Sequence, residues 1–351
     1  MIRVAINGFG RIGRNAFRVY FEKFREEIQV VAINDIADSK TLAHLLKYDS
    51  TYGVWGRKVS TQSDTADTST VTPGQPVGKI IVDVVEVPTY ATKDPVQLPW
   101  QELGVDVVIE STGKFTNEEG LKKHIEAGAK KVILSAPAKG GNVATFLLGV
   151  NEETYGGQDI VNNASCTTNC IAPVAKIMHK AFGIKKAMMT TIHAYTADQN
   201  LHDGPHKDLR RARAAANNIV PTTTGAAIAT GEVIPELKGI FDGVAIRVPV
   251  SVGSISDFTF LLAKPTTVEE VNKVLEEASK QPELEAILAV TNEPIVSSDI
   301  IGRSESAIVD LSLTQVVGGD MVKVFAWYDN EWGYSNRLVE QVIQVGKSIN
   351  S

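Results

Sequence analysis

Cysteine is almost missing from this chain, which has two cysteines among its 351 residues. Cys166 and Cys170 stand together at the start of a predicted helix. Such a pair is not typical of a disulfide framework or of a complete metal site. The sequence therefore predicts no bound metal and a reducing compartment, the cytoplasm.

Long apolar runs and an excess of one charge are missing as well. No stretch approaches the length of a membrane span, and residues 1–6 enter a predicted strand directly, which leaves no room for a signal peptide. The net charge is −6 and gives no reason to expect nucleic acid or a membrane as a partner. An anionic substrate stays open, since a site needs only a local cluster of positive charge.

The chain is long enough for two domains, and its first half alternates short strands with amphipathic helices. This rhythm predicts an α/β domain with a Rossmann-type, doubly wound parallel sheet. The expected strands are Val4–Asn7, Val30–Asn34, Val105–Ile109 and Lys131–Leu134, and the expected helices are Ile12–Phe24, Ser39–Leu46 and Asn117–Ala127. The Ser/Thr/Asp-rich segment Ser60–Gly78 is predicted to be a surface loop or hairpin of this domain.

The second half has longer strands with fewer helices between them, which predicts an α+β domain with a mixed or antiparallel sheet. The expected strands are Lys186–His193, Gly243–Val250, Ser254–Leu262 and Met321–Tyr328, and the expected helices are Val268–Gln281 and Asn336–Ser348. We expect residues 1–165 to form the first domain, with the last helix (334–351) docking back on it. Residues 166–333 are expected to form the second, catalytic domain.

The turn after the first predicted strand has the spacing Gly8-x-Gly10-x-x-Gly13. Between a strand and a helix this spacing is typical of a dinucleotide site, because glycine lets the backbone approach a pyrophosphate at the helix N-terminus. Asp35 follows the second strand, at the right distance for a carboxylate that binds a ribose diol and repels a 2′-phosphate. The pattern predicts NAD rather than NADP; the alternative is a structural glycine turn with a capping aspartate.

Cys166 stands where a predicted strand gives way to a helix. A helix N-terminus offers unpaired N–H groups and partial positive charge, which predicts a thiol of lowered pKa and therefore a nucleophile. The alternative is a buried, inert cysteine, and the neighbouring hydroxyls of Ser165, Thr167 and Thr168 argue against it. Cys170, one turn further into the helix, is expected to be a packing residue.

His193 closes a strongly β run and is the candidate base for this thiol. Thiol catalysis needs a group that accepts the proton, and imidazole is suited to it at neutral pH. The alternative is a structural histidine at a strand end, and the sequence does not show that the two side chains meet.

Positive charge concentrates in Lys207–Arg213 and at Arg247. Arg247 interrupts an apolar β run, where an unpaired charge would be costly, and the hydroxyl-rich segment Pro221–Gly225 lies between the two. Arginine, hydroxyls and backbone N–H groups together are typical ligands of phosphate. We expect a phosphate site here, the alternative being a solvated, salt-bridged loop.

Segments spread over nearly the whole chain match one known family. They are Ile6–Arg14, Asn34-Asp35, Leu42–Asp49, Glu110–Gly113, Ser135–Pro137, Ala164–Cys170, His193–Thr196, Asp208–Ala216, Pro221–Ala226 and Trp327–Ser335. On these residues the chain resembles the phosphorylating glyceraldehyde-3-phosphate dehydrogenases. The Ser-Cys-Thr-Thr-Asn core at residues 165–169 is specific to this family and its close relatives.

The resemblance implies the NAD-dependent oxidative phosphorylation of D-glyceraldehyde 3-phosphate to 1,3-bisphosphoglycerate by a homotetramer. It implies that Cys166 is the nucleophile and His193 the base. The residues implied to bind the substrate phosphate and inorganic phosphate are Ser165, Thr167, Thr196, Arg211, Thr224, Gly225 and Arg247. The implied NAD contacts, besides Gly8, Gly10 and Gly13, are Arg11, Ile12, Asp35, Lys93, Ser135 and Asn330.

The chain departs from the family pattern at three places. Val250–Ser254 replaces the usual Thr-Pro-Asn-Val after Arg-Val-Pro, Gly204 stands where many NAD-dependent members have leucine, and the Ser60–Gly78 segment is longer than usual. Two alternatives to the implied function stay open. One is an erythrose-4-phosphate dehydrogenase or another aldose-phosphate dehydrogenase, and the other is a non-catalytic NAD-binding regulatory protein.

Overall fold

The structure is a computed structural model that describes residues 1–63 and 67–350. Its strands, in chain order, are β1 Ile2–Asn7, β2 Ile28–Asn34, β3 Tyr48–Asp49, β4 Gly53–Val54, β5 Val59–Ser63, β6 Pro76–Val82, β7 Val85–Tyr90, β8 Val107–Glu110, β9 Lys131–Leu134, β10 Ala144–Thr145, β11 Ile160–Asn162, β12 Ile184–Ala194, β13 Val220–Thr223, β14 Phe241–Val248, β15 Ser254–Leu262, β16 Leu288–Thr291, β17 Ala307–Asp310, β18 Gln315–Val317 and β19 Met321–Tyr328. Its α-helices are α1 Arg11–Lys23, α2 Ser39–Lys47, α3 Glu118–Glu126, α4 Cys166–Phe182, α5 Ala226–Val233, α6 Val268–Ala278 and α7 Trp332–Lys347. None of the helices in this part of the chain is long and apolar enough to cross a membrane.

The described residues pack as two units. The first comprises Met1–Phe146, Thr154–Asn163 and the chain from Ser335 onward, and the second comprises Leu147–Glu153 and Ala164–Tyr334. Most of α7 therefore belongs to the first unit. In that unit the Asn163 amide donates to Gln341 Oε1 at 2.8 Å and Lys23 Nζ donates to Asn336 Oδ1 at 2.7 Å.

The first unit is built on a sheet whose described strands follow the order β10-β11-β9-β8-β1-β2-β7-β6-β5. From β10 to β7 every neighbouring pair is parallel, and β6 and β5 extend the sheet as an antiparallel hairpin. β1 is flanked by β2 on one side and β8 on the other, so the strand order reverses at β1. Ligands of open α/β sheets bind at the carboxyl end of such a strand.

The helices of this unit begin where short polar side chains cap them. Asp38 accepts a hydrogen bond from the Thr41 N–H at 3.0 Å, and Asn117 accepts one from the Gly120 N–H at 3.0 Å. In α1 the aromatic face buries Phe17 and Phe21. The start of α1 has no such cap, because Gly10 has no side chain.

The second unit has a mixed, mostly antiparallel sheet with the described order β13-β14-β12-β15-β19-β17-β16, and β18 pairs with β19. The parallel pair β12/β14 places His193 beside Arg247. α4 packs into the core of this unit, where Cys170, Ile171 and Val174 are fully buried. This sheet matches the predicted α+β architecture.

Several boundaries differ from the sequence prediction. β14 ends at Val248 rather than at Val250, because Pro249 has no N–H to donate to a ladder. α6 ends at Ala278, earlier than expected, and α7 begins at Trp332 rather than at Asn336. The Ser60–Gly78 segment contributes to the β5/β6 hairpin, and residues 64–66 within it lie outside the described part.

Candidate active site

Cys166 is the first residue of α4, and Ser165 caps that helix. The Ser165 Oγ accepts a hydrogen bond from the Thr168 N–H at 3.0 Å and hydrogen bonds with the Thr168 hydroxyl at 2.8 Å. Ala164 has a positive φ of 51°, a conformation that is uncommon outside glycine. Its carbonyl accepts a hydrogen bond from the Tyr334 hydroxyl at 3.2 Å. Hydrogen bonds to the Ser165 side chain and to the Ala164 carbonyl therefore fix the turn that precedes Cys166.

His193, near the end of β12, faces the thiol. Its Nε2 lies 3.4 Å from the Cys166 Sγ, and its Nδ1 lies 2.7 Å from the Ala194 carbonyl oxygen. A carbonyl can only accept, so the Nδ1 contact is a hydrogen bond in the tautomer with its hydrogen on Nδ1, and Nε2 then presents its lone pair to the thiol. In this tautomer, His193 can accept the thiol proton.

Burial controls the protonation of both groups. Burial and the Arg247 charge lower the pKa of His193 to about 3. Burial also raises the pKa of the Cys166 thiol above its usual value, against the opposing effects of the Arg247 charge and of hydrogen bonds with Thr167. The predicted lowering of the thiol pKa is wrong, because the loss of hydration outweighs the helix N-terminus. Thiol and imidazole are therefore both neutral near neutral pH.

Arg247 lies on the other side of the imidazole. Its Nη1 is 2.8 Å from the His193 Nδ1 and 3.1 Å from the Ala194 carbonyl oxygen. Its Nε is buried and has no hydrogen-bond partner among the residues that the structure describes. Burial lowers the pKa of Arg247, as expected for a cation with little hydration. A buried guanidinium with an N–H group that is still available to donate is suited to bind an anion.

Arg211 is more fully engaged than Arg247. Its Nε donates to the Thr222 hydroxyl at 2.9 Å and its Nη2 to the Thr223 carbonyl at 3.2 Å. It also forms ion pairs with Asp198 and, at 3.4 Å, with Asp208. Two carboxylates thus already offset its charge.

The remaining predicted phosphate ligands lie at element ends in the second unit. Thr224 and Gly225 precede α5, and the Thr224 hydroxyl accepts a hydrogen bond from the Ala226 N–H at 3.2 Å. Thr196 is half-buried in the loop after β12. Thr167 differs from them, because its side chain is buried and its hydroxyl hydrogen bonds with the Tyr328 hydroxyl at 2.9 Å.

Two residues beside the thiol and the imidazole were not predicted. Tyr328 packs its ring edge-on against His193, with 5.8 Å between the ring centroids, and burial raises its pKa. Ser254 accepts a hydrogen bond from the Ala194 N–H at 3.1 Å. Tyr328 lies in the Trp327–Ser335 segment that supports the family resemblance, which was the one signal for it in the sequence.

A separate cavity of about 340 Å³ lies in the first unit at the carboxyl ends of β1 and β2. Four of the predicted cofactor contacts line it: Gly8, Gly10, Asp35 and Lys93. The Asp35 carboxylate is oriented by hydrogen bonds from the Phe9 N–H at 2.8 Å and the Ala37 N–H at 3.1 Å. The carboxylate thus has a fixed position at the cavity wall.

The three glycines of the turn meet different surroundings. Gly8 has a φ of +92°, and a Cβ on it would lie 2.6 Å from the Thr112 nitrogen. A Cβ on Gly13 would lie 2.1 Å from the Gly8 carbonyl oxygen. A Cβ on Gly10 would meet no heavy atom of the described residues within 4 Å. The open space above Gly10, at the uncapped start of α1, fits a pyrophosphate.

The other predicted NAD contacts are divided between the units. Arg11 and Ile12 form the first turn of α1, and the Arg11 guanidinium pairs with Asp49 at 3.0 Å. The Ser135 N–H donates to the Glu110 carbonyl at 3.0 Å. Asn330 belongs to the second unit, where its Oδ1 accepts from the Gly253 N–H at 3.1 Å and the Ser254 hydroxyl at 3.0 Å.

Comparison with known proteins gives one consistent family. The model described as "Glyceraldehyde 3-phosphate dehydrogenase, NAD binding domain" matches residues 2–118, and the model described as the C-terminal domain of the same enzyme matches residues 165–330. Curated glyceraldehyde-3-phosphate dehydrogenases of Mycolicibacterium smegmatis and Mycobacterium avium are each 53% identical to this chain, over 99% of both sequences. The chain belongs to the glyceraldehyde-3-phosphate dehydrogenase family. A Streptomyces avermitilis protein, glyceraldehyde-3-phosphate dehydrogenase 2, is 50% identical over the same share.

Membership of the glyceraldehyde-3-phosphate dehydrogenase family confirms several predictions. The chain has the family's NAD binding domain, so the predicted NAD cofactor is confirmed. The Rossmann-type domain followed by a mixed-sheet domain is confirmed as well. The chain is an NAD-dependent oxidoreductase of this family.

Proposed function

We propose that this protein catalyses the oxidative phosphorylation of D-glyceraldehyde 3-phosphate to 1,3-bisphosphoglycerate with NAD and inorganic phosphate, a step of glycolysis and gluconeogenesis. The observation that carries the proposal is the row formed by the Cys166 thiol, the His193 imidazole and the Arg247 guanidinium, with contacts of 3.4 Å and 2.8 Å. A nucleophile, a base and an anion site in contact are what this reaction needs. Relatives that are 53% identical over 99% of both sequences are named glyceraldehyde-3-phosphate dehydrogenase.

The first step is attack of the Cys166 Sγ on the aldehyde carbon. The thiol proton passes to the His193 Nε2 as the S–C bond forms, and the imidazolium then protonates the carbonyl oxygen, which gives a thiohemiacetal. NAD, when bound, supplies the acceptor for the hydride. The His193 Nε2 takes the hydroxyl proton as the C–H bond breaks, and a thioester of Cys166 results.

The second half of the reaction returns the thiol. An oxygen of hydrogen phosphate attacks the thioester carbonyl, the S–C bond breaks, and the phosphate proton is released to solvent. The Cys166 sulfur leaves as thiolate and recovers a proton from the imidazolium. The developing oxyanion needs a donor, and the Cys166 N–H at the start of α4 is suited to this role.

We assign the binding of the two phosphates to the groups around Arg247. Its buried Nε lacks a partner among the described residues and is the strongest single support for an anion there. The further ligands that we propose are Ser165, Thr167, Thr196, Arg211, Thr224 and Gly225. The Thr167 hydroxyl can donate to a phosphate when it accepts from Tyr328 in their shared hydrogen bond, and Arg211 must share its donors with Asp198.

For the cofactor, we propose that Gly8, Gly10, Gly13, Arg11 and Ile12 surround the pyrophosphate. Asp35 would bind the adenosine ribose, where its carboxylate repels a 2′-phosphate. Lys93 and Ser135 would line the same site, and Asn330 would contact the nicotinamide end. We assign cofactor binding to the first unit and the covalent chemistry to the second.

We further propose a homotetramer in the cytoplasm. The tetramer follows from the family resemblance, and light scattering after gel filtration measures it directly. The compartment follows from the mechanism, since a catalytic thiol has to stay reduced.

The test of the function is the formation of NADH, followed by its absorbance, with glyceraldehyde 3-phosphate, NAD and phosphate. We expect activity that requires all three, is lost in Cys166→Ser and is retained in Cys170→Ala, the matched control four residues along α4. Erythrose 4-phosphate is assayed in parallel. A much larger kcat/KM for that sugar would show that the protein is an erythrose-4-phosphate dehydrogenase instead. No NADH with either sugar would refute the proposal in favour of a non-catalytic protein.

A further inference from the structure

The ladder between β12 and β15 ends two residues before the end of β12. Its final pair is Ile192 with Ile255, and beyond it the Ala194 N–H donates to a side chain, the Ser254 Oγ, at 3.1 Å. The next N–H along the chain, that of Tyr195, donates to the Val250 carbonyl at 3.0 Å. Both acceptors belong to Val250–Ser254, the segment where the sequence departs from its family. This segment therefore fixes Ala194 on both sides.

The Ser254 hydroxyl has a single orientation that satisfies its contacts. It accepts from the Ala194 N–H and donates to the Asn330 Oδ1 at 3.0 Å. Its side chain has no freedom to turn towards solvent, since the exposed fraction of Ser254 is 1%. Asn330 is also buried, and its Oδ1 accepts a second hydrogen bond from the Gly253 N–H.

The Ala194 carbonyl favours a hydrogen on Nδ1 of His193, whereas the Arg247 Nη1 favours a lone pair there. This oxygen accepts from the His193 Nδ1 at 2.7 Å and from the Arg247 Nη1 at 3.1 Å. Nη1 itself lies 2.8 Å from Nδ1, and a guanidinium can only donate. If the carbonyl turned away, Arg247 would donate to Nδ1, and the ring hydrogen would move to Nε2, which faces the thiol.

The second tautomer cannot work as a base. With a hydrogen on Nε2, the ring has no lone pair to accept the Cys166 proton. The groups that face the ring are the Cys166 thiol, the Arg247 guanidinium and the Tyr328 ring, and none of them is a carboxylate that would fix a hydrogen on Nδ1. Apart from the Cys166 thiol, a weak donor to Nε2, the Ala194 carbonyl is the group among the described contacts that selects the reactive tautomer.

We propose that Ser254 is a positioning residue for catalysis, which fixes Ala194 and thereby keeps the His193 lone pair directed at Cys166. The inference rests on the proposed roles of the thiol and the imidazole. Ser254 does not touch the substrate; it acts through the Ala194 backbone. Val250–Ser254 thus has a function in spite of its unusual sequence, because the contacts that matter come from a backbone carbonyl and one hydroxyl.

The test compares the alkylation of Cys166 by iodoacetamide in the full-length protein, without substrate, from pH 6 to pH 10. The main variant is Ser254→Ala. Ser254→Thr and Ser254→Val have side chains of nearly the same shape, with a hydroxyl in threonine where valine has a second methyl group. This pair decides the question should the alanine variant fail to fold. The matched control is Ser256→Ala, a fully buried serine on the same face of β15.

We expect Ser254→Ala and Ser254→Val to slow alkylation at pH 7 by about 10- to 100-fold, the range for outer hydrogen-bond partners that orient a histidine. The loss should shrink towards pH 10, where hydroxide removes the thiol proton directly. Ser254→Thr should keep the wild-type profile, and so should Ser256→Ala. In the NADH assay, kcat should fall in the same two variants while KM for phosphate stays within twofold.

Alkylation of Ser254→Val at the rate and pH dependence of Ser254→Thr would overturn the inference, because the hydroxyl would then not matter. A lower melting temperature without any change in the alkylation profile would also overturn it, since that result assigns Ser254 a structural role only. The alkylation assay needs neither sugar nor NAD. A wild-type protein that forms no NADH would therefore refute the proposed function and leave this test intact.

Discussion

Replacing Arg247 tests the electrostatics of the site directly. The guanidinium and the thiol contact the two different nitrogens at the edge of one imidazole ring, at 2.8 Å and 3.4 Å. The charge of Arg247 lowers the pKa of Cys166 and the pKa of His193. Arg247→Ala should therefore raise both pKa values, which leaves less thiolate at a given pH.

The size of the effect follows from the geometry. The two contacts and the width of the ring place the guanidinium within about 8 Å of the sulfur, and at an effective dielectric constant of about 20 a unit charge there contributes about 2 kcal/mol. That energy corresponds to an about 30-fold smaller thiolate fraction in Arg247→Ala at neutral pH. Arg247→Lys keeps the charge, so that its thiolate fraction should stay close to that of the wild type.

The assay is the rate of Cys166 alkylation at pH 7, together with KM for phosphate in the NADH assay. Arg247→Ala should slow alkylation and Arg247→Lys should not. Both variants should raise KM for phosphate, because both remove the planar guanidinium, which can donate two hydrogen bonds to one phosphate. Arg213→Ala is the control, since this exposed arginine pairs with Asp203 and contacts none of these groups. An equal loss of alkylation in the alanine and lysine variants would refute the electrostatic reasoning.

Three further predictions concern the cofactor and pH. Asp35→Gly should gain activity with NADP, measured as the ratio of kcat/KM for NADP and NAD, because it removes the carboxylate that repels a 2′-phosphate; an unchanged ratio would contradict this role. Gly10→Ala should lose NAD binding in titration calorimetry at an unchanged melting temperature, whereas Gly13→Ala should lower the melting temperature, because its Cβ would lie 2.1 Å from the Gly8 oxygen. The rate of Cys166 alkylation should rise steadily from pH 7 to pH 9, because a raised thiol pKa moves thiolate formation to higher pH. No loss from protonation of His193 is expected above about pH 4, since the pKa of His193 is about 3; a bell-shaped profile centred near pH 7 would contradict both directions.

The fold of the first unit was largely predictable because its signals are local. Strand, glycine turn and helix follow one another within residues 2–23, and each element has its own periodicity and cap. The boundaries were less accurate where one residue interrupts a pattern, as Pro249 does at the end of β14. In the second unit the sheet type could be predicted from strand length. The order of the strands in that sheet could not be predicted, because β12 pairs with β14 and β15 and not with β13, the next strand along the chain.

The site was predictable residue by residue but not as a network. In the sequence, Cys166 stood out because hydroxyl residues flank it, and Arg247 stood out because it is a charge inside an apolar run. Ser254 and Tyr328 gave no such signal. A serine at the start of a strand and a tyrosine at the end of one are ordinary, and their contacts to Ala194 and Thr167 depend on the pairing of strands far apart in the chain.

The direction of the Cys166 pKa shift explains why that network matters. A thiol activated by a helix N-terminus alone would be a preformed thiolate, and its reactivity would depend little on the tautomer of a neighbouring histidine. Here burial raises the pKa of the thiol and lowers that of His193, so that no ion pair exists at rest. The proton must then move from Sγ to Nε2 while the S–C bond forms, which requires a lone pair on Nε2 at that moment. Reactivity in this site therefore depends on how Ala194, Arg247 and Ser254 fix one ring hydrogen, as well as on the charge of Arg247 near the sulfur.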